Sequence, residues 1–199
     1  MGADREDEPL DPVGAAGRLE DLTDALRPDS ARSRVLAELD RMFRTGGAPD
    51  PLPEGFVSGK LITTSVWGPL DSIGLRVTRH WMPWHGKSFD RAAMTGQNRF
   101  DPSARLAMRV LWPSYRPVAM RWGRLEAFPF RTRVAPGAVD PDVEVLKIDY
   151  DFEANPRLVI RRILDELVQV DGGTYLGRVL FRVGSRFRPI GLFSLHRPA

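Results

Sequence analysis

The chain has 199 residues, no cysteine, 42% hydrophobic and 28% charged residues. This suits one core-forming domain and excludes disulfides, thiolate metal sites and thiol redox chemistry. No run of about 18 apolar residues occurs, so no membrane span is expected, and the acidic N-terminus lacks the apolar stretch of a secretory signal, so a cytoplasmic location is expected. The net charge of +3 conceals an asymmetry: residues 1–29 hold nine acids against three arginines, a net −6, which leaves +9 for the remainder. A basic body could meet phosphate, nucleic acid or anionic lipid. Only Lys60, Lys87 and Lys147 are lysines, however, and arginine supplies the rest, a bias that GC-rich coding produces without any function. No basic cluster interleaved with aromatics stands out, so no nucleic-acid partner is expected.

Residues 1–16 read as a disordered acidic leader with Pro9, Pro12 and Gly14. Residues 17–47 read as two helices. Leu19, Leu22 and Leu26 share a face before Pro28, and Val35, Leu36, Leu39, Met42 and Phe43 form a stripe ended by Gly46-Gly47. Pro49, Pro51 and Pro53 make a stiff extended linker over 48–54. From residue 55 to 199 the texture is that of a β-rich domain, opened by a strand over 55–64. Pro69, Leu70, Ile73, Val77 and Trp81 predict a helix, and residues 84–89 a turn or lip after Pro83. Strands are expected over 106–112, 118–122, 125–130 and 143–152. Asn155-Pro156 then predicts a helix through Leu158, Val159, Ile163, Leu167 and Val168, and residues 175–183 and 187–195 a closing hairpin. Six or seven mostly antiparallel strands, with N-terminal helices and a helix before the last two strands, specify an α+β, mainly β fold: a barrel or a curved sheet.

Three islands resemble the bacterial family named for its Gly-x-Trp-x-Gly (GXWXG) motif, with the short C-terminal domain of unknown function that usually accompanies it. They are Gly55-Phe56-Val57-Ser58-Gly59, with Val57 where the family has tryptophan; Trp84-His85-Gly86-Lys87-Ser88-Phe89-Asp90; and the segment from Leu164 to Arg197 with Val170-Asp171, Leu176-Gly177 and His196-Arg197. The resemblance implies a small calycin or lipocalin-like antiparallel barrel. Such barrels commonly hold small apolar ligands or, in nitrobindin-like members, haem.

Two stretches carry candidate chemistry. In Lys147-Ile148-Asp149-Tyr150-Asp151, alternation puts Lys147, Asp149 and Asp151 on one face and Ile148 and Tyr150 on the other, with same-face neighbours about 6.5–7 Å apart. Inside a barrel, Asp149 or Asp151 would be a desolvated general base with Lys147 as its electrostatic partner; outside, the same face is merely wet. In the 84–90 turn, Trp84 and Phe89 could frame a pocket mouth where Lys87 binds a carboxylate or phosphate head group, or Lys87 is a surface lysine over buried aromatics. The histidines His80, His85 and His196 lack metal-ligand spacing, so neither a metal site nor a cofactor is expected. No G-x-S-x-G elbow or phosphate-cradling loop is present. The five tryptophans with Phe100, Phe128 and Phe130 would line an apolar cavity or fill a core.

The expected function is therefore binding of a small apolar or lipid-like ligand in a barrel cavity, at Lys87, Trp84, His85, Lys147 and Tyr150. Two alternatives are an isomerase, cyclase or hydrolase using Asp149 or Asp151, and a partner-docking module using the acidic leader and the helix over 30–45.

Overall fold

The computed structural model describes residues 12–25, 32–63 and 83–198. Its elements are α1 (Pro12–Asp24), α2 (Arg32–Thr45), β1 (Gly55–Thr63), β2 (Trp84–Asp90), β3 (Thr95–Phe100), α3 (Ala104–Leu111), β4 (Ala119–Arg121), β5 (Arg124–Pro136), β6 (Glu144–Asp149), β7 (Ile163–Gln169), β8 (Thr174–Val183) and β9 (Arg186–His196), with one 3-10 turn over Ile160–Arg162. The helix expected over 69–81 and residues 1–11 of the expected leader lie outside the described residues.

Strands β1, β2, β3, β5, β6, β7, β8 and β9 pair in chain order, each antiparallel to the next, and β9 returns to β1. Eight strands thus close an up-and-down barrel with no free edge, which satisfies every ladder without burying an open one. Strand β4 adds a short hairpin outside the ring, against β5.

Alternation sorts the two faces. Val57, Phe89, Leu146, Ile148, Leu167, Tyr175, Phe193 and Leu195 pack inside the barrel with α3 residues Ala104, Ala107 and Met108 at one end. Val145, Val168, Leu176 and Leu192 face outward and are covered by Leu19 of α1 and by Val35, Leu39, Met42 and Phe43 of α2. The stripe that would have made the helix over 30–45 a partner-docking element is therefore spent on the barrel itself. The proline linker is tied down as well: Gln169 N donates to Gly47 O at 2.8 Å, and Asp50 N donates to the Gln169 side chain at 2.9 Å.

Four expectations are corrected. Helix α1 begins at Pro12, inside the stretch read as a leader, because proline suits a first helical position and Ala15 is buried. Residues 84–89 form strand β2, not a turn. Residues 106–112 lie largely in α3: Ala104, Ala107 and Met108 fall at i, i+3 and i+4 and close the barrel end with a helical stripe. The helix expected before the last two strands is strand β7, reached through the single 3-10 turn. There Ile163, Asp165 and Leu167 face inward while Leu164, Glu166 and Val168 face outward, and both faces are covered, so no polar–apolar alternation marks the strand. Strand β3, polar in sequence, carried no expectation at all.

Candidate functional site

The interior of the barrel is apolar except at one place. Strand β2 slips by one residue between Trp84 and Gly86, a bulge that turns both Trp84 and Lys87 inward although they are three residues apart. Strand β3 supplies Asn98, the end of β6 supplies Tyr150, and β7 supplies Asp165. Lys87 is only 2% exposed. Its Nζ donates to Asp165 Oδ2 at 2.9 Å, to Asn98 Oδ1 at 3.0 Å and to the Tyr150 oxygen. Tyr150 OH in turn donates to Asp165 Oδ2 at 3.1 Å, Asn98 Nδ2 donates to the Phe128 carbonyl at 3.3 Å, and Trp84 Nε1 donates to Asn98 Oδ1 at 3.1 Å.

Four aromatic rings enclose the ammonium, with centroids 5.4 Å (Trp84), 5.4 Å (Phe130), 5.1 Å (Tyr150) and 5.2 Å (Phe193) from Nζ, within cation–π range. Two of these rings lie flat against bare backbone. A Cβ on Gly177 would stand 2.1 Å from the Phe193 ring, and one on Gly59 would stand 2.4 Å from Trp84. The second glycine of the Gly55–Gly59 pair thus makes room for an aromatic wall of the cluster.

Electrostatically the cluster is unbalanced. Burial pushes the Lys87 ammonium below its ordinary pKa, and the charge and hydrogen bond of Asp165 hold it back only in part. Burial, reinforced by the Asp165 charge, pushes the Tyr150 phenol well above its ordinary value. Asp165 is buried, yet its Oδ1 has no hydrogen-bond partner. A buried carboxylate oxygen left bare is costly, and it points to a donor that the folded chain does not itself supply.

A cleft of about 540 Å³ opens at the α3 end of the barrel, between residues 111–115 and 154–159. Its walls touch the cluster through single residues. Tyr115 stacks on Phe128 at 4.9 Å and accepts from Phe128 N at 2.6 Å, while the Phe128 carbonyl accepts from Asn98. On the other side, Asn155 Nδ2 donates to the Tyr150 carbonyl at 2.9 Å and to the Pro129 carbonyl at 2.7 Å.

Of the expected site residues, Trp84, Lys87 and Tyr150 come together. His85 does not join them. It sits half-exposed at the rim, where Arg124 Nη1 donates to its Nε2 at 2.8 Å and so fixes that nitrogen as an acceptor. Lys147 faces outward, 3.7 Å from Glu166. Asp149 and Asp151 are also outside: Asp149 pairs with Arg133 at 3.0 Å, and Asp151 with Arg161 at 2.7 Å and Arg182 at 3.7 Å. Neither Asp149 nor Asp151 lies in the barrel interior, where a desolvated base was expected, and Lys147 on the same face is itself largely buried. Asp165, Asn98 and Phe193 were missed, and Phe130 was named only as a cavity or core aromatic; the acid pair Asp165-Glu166 inside the apolar run from Ile163 to Val168 was the available signal. Among the described residues no group of three or more His, Cys, Asp or Glu is placed to hold a metal ion.

No protein-family model matches the chain, and no curated protein matches it in sequence. A crystal structure of a protein from Thermomonospora curvata is similar in fold, with a TM-score of 0.50 and 14% identity over 93% of this chain and 99% of that one. It supports the barrel. No helix among the described residues is long and apolar enough to cross a membrane.

Proposed function

We propose that this barrel binds a small, largely apolar molecule carrying one hydrogen-bond donor, a hydroxyl or an amine, at the Lys87–Asp165–Tyr150–Asn98 cluster. The observation that carries the reading is the bare Asp165 Oδ1 inside an aromatic cage. A buried ion pair is weak evidence for stability, because its desolvation roughly cancels its attraction. Here the four strands that supply the cluster are already joined by the barrel ladders, so the charges are not needed to hold them. A charged group kept in such a place is a candidate functional group. The cleft between Tyr115 and Asn155 has the volume of a small-molecule site, and on this reading it would serve as the entrance. The calycin-like reading drawn from the 55–59 and 84–90 motifs fits this proposal, with Lys87 as an interior anchor instead of a rim group.

The test uses 1-aminoanthracene, a flat apolar fluorophore with an N–H donor. Saturable fluorescence enhancement is expected with the wild-type protein. At least a tenfold weaker response is expected with the paired replacement Lys87→Met/Asp165→Leu, which removes both charges and so leaves the core satisfied. Absence of saturable binding to wild type, or equal binding by the pair, would contradict the proposal.

A further inference from the structure

Residues 102–125, which lead from β3 through α3 and β4 into β5, contain five arginines (105, 109, 116, 121 and 124) and no acidic residue. Among the described residues Arg124 alone of these has an ion-pair partner, Asp101 at 3.4 Å. The same stretch holds six of the eleven exposed large hydrophobic residues of the described structure: Leu106, Val110, Leu111, Val118, Met120 and Trp122. Two more, Leu158 and Val159, stand across the cleft.

The helical period explains how α3 presents both kinds of side chain. Ala104, Ala107 and Met108 are buried in the barrel mouth, which leaves Arg105 and Arg109 as one outer stripe and Leu106 and Val110 as the adjoining one. Leu106 is 72% exposed and Leu158 81%. The tip of the β4–β5 hairpin is a two-residue turn, Trp122-Gly123, in which both residues have positive φ (45° and 71°). A bulky residue in that conformation is strained. Trp122 is nonetheless 78% exposed, with its ring over the Arg99 and Arg121 guanidinium groups at 4.7 and 5.3 Å.

We propose that this end of the barrel docks onto an anionic lipid surface, with Leu106, Val110, Trp122 and Leu158 entering the headgroup boundary while Arg105, Arg109, Arg116 and Arg121 meet the phosphates. Exposed leucine and valine beside arginine, with a tryptophan at a loop tip, is the composition of a monotopic membrane contact. Single-stranded nucleic acid would use the arginines and Trp122 but leaves no role for exposed Leu106, Val110 and Leu158. The cleft opens within the patch, so the docked face would bring it to the bilayer. The proposal does not depend on what the Lys87 cluster binds.

Co-sedimentation of the full chain with phosphatidylcholine vesicles, with and without phosphatidylglycerol, tests it. Binding to the anionic vesicles is expected to exceed binding to the neutral ones by tenfold or more, and to fall with added salt. Arg105→Gln/Arg109→Gln should weaken it about fivefold for each charge removed. Leu106→Asp/Val110→Asp should abolish it, and both pairs lie on an exposed helix face, where circular dichroism will show the fold retained. Loss of lipid-dependent quenching by brominated acyl chains in Trp122→Phe would place that ring in the bilayer. No binding to anionic vesicles overturns the proposal, as does binding that these replacements leave unchanged. So does either alternative occupant found without vesicle binding: oligothymidylate bound through the same arginines, or self-association broken by the leucine and valine replacements.

Discussion

Among the described residues the buried charges include two clusters on opposite sides of the barrel wall, besides the Arg99–Glu126 pair at 3.1 Å, and the two clusters differ in what they connect. Outside, beneath α2, Arg178 of β8 pairs with Asp140 at 2.5 Å and with Asp40 of α2 at 2.8 Å, while Arg44 of α2 reaches Asp140 at 2.6 Å. The Arg178 guanidinium also lies 4.0 Å from the centroid of the Phe43 ring. Helix α2 makes no ladder of its own with the barrel, so these bonds and the apolar stripe are what seat it. Inside, Lys87, Asn98 and Asp165 belong to strands that the barrel ladders already hold, and Tyr150 follows directly on the last paired residue of β6. The outer cluster orients a helix; the inner one orients nothing that would otherwise be loose. A structural explanation covers the first and leaves the second without one.

The largest effects should separate the clusters. Lys87→Met strands a buried carboxylate and should cost about 3–5 kcal/mol, whereas adding Asp165→Leu should restore stability to within about 1 kcal/mol of wild type or raise it above. Urea unfolding measures both. In the outer cluster Arg178→Leu should cost about 3 kcal/mol, but pairing it with Asp140→Leu should not recover the loss, because Asp40 and Arg44 then pair only with each other within α2 and no longer tie it to the barrel. Amide exchange over 32–45 should rise in both outer variants and in neither inner one. If the inner double replacement also failed to recover, the two clusters would be alike and the contrast would collapse.

Smaller perturbations sharpen the picture of the inner wall. Gly177→Ala pushes a methyl group into the Phe193 ring and should cost about 1–3 kcal/mol by overpacking, with Phe193→Leu relieving most of it in thermal melts. The smallest effect is alkaline. Burial raises the Tyr115 phenol to about 12 and lifts Tyr150 well above 10. Below pH 10 both phenols are protonated folded or unfolded. As pH rises from 10 toward 12 the unfolded chain ionises first, so stability should fall across that window. Spectrophotometric titration should show that these two phenols stay protonated above pH 10 until the protein unfolds.

The sequence revealed its elements where a strand has one wet face or a helix one apolar stripe. Helix α2 was legible on that ground, while β1, β8 and β9 were legible from β-branched and apolar runs bounded by glycines, and with them a barrel or curved sheet. Strand β7 was not, because Leu164 and Val168 on its outer face are buried as fully as Leu167 on its inner one, so neither period stands out. That misreading hid Asp165, which a helical reading turned away from Lys87. Asn98 was hidden for the opposite reason: β3 is polar on both faces, and only a closed barrel makes one of them an interior. Trp84, Lys87 and Tyr150 were legible as chemistry-bearing residues, but the bulge that turns Trp84 and Lys87 to the same side leaves no mark beyond Gly86. Lys147 and Asp149 looked like partners by spacing along one strand, while across the ladder Glu166 and Arg133 lie nearer and take them instead. The basic and aromatic character of residues 102–125 became visible only once α3 showed which of its side chains point outward.

The central claim, that the inner charges are kept for a ligand and not for the fold, is tested most directly by measuring one variant twice. Lys87→Met/Asp165→Leu should keep a urea stability within about 1 kcal/mol of wild type, or exceed it, and yet lose its saturable binding of 1-aminoanthracene. A variant that binds the probe as wild type does would contradict the claim, as would one whose stability falls together with its binding.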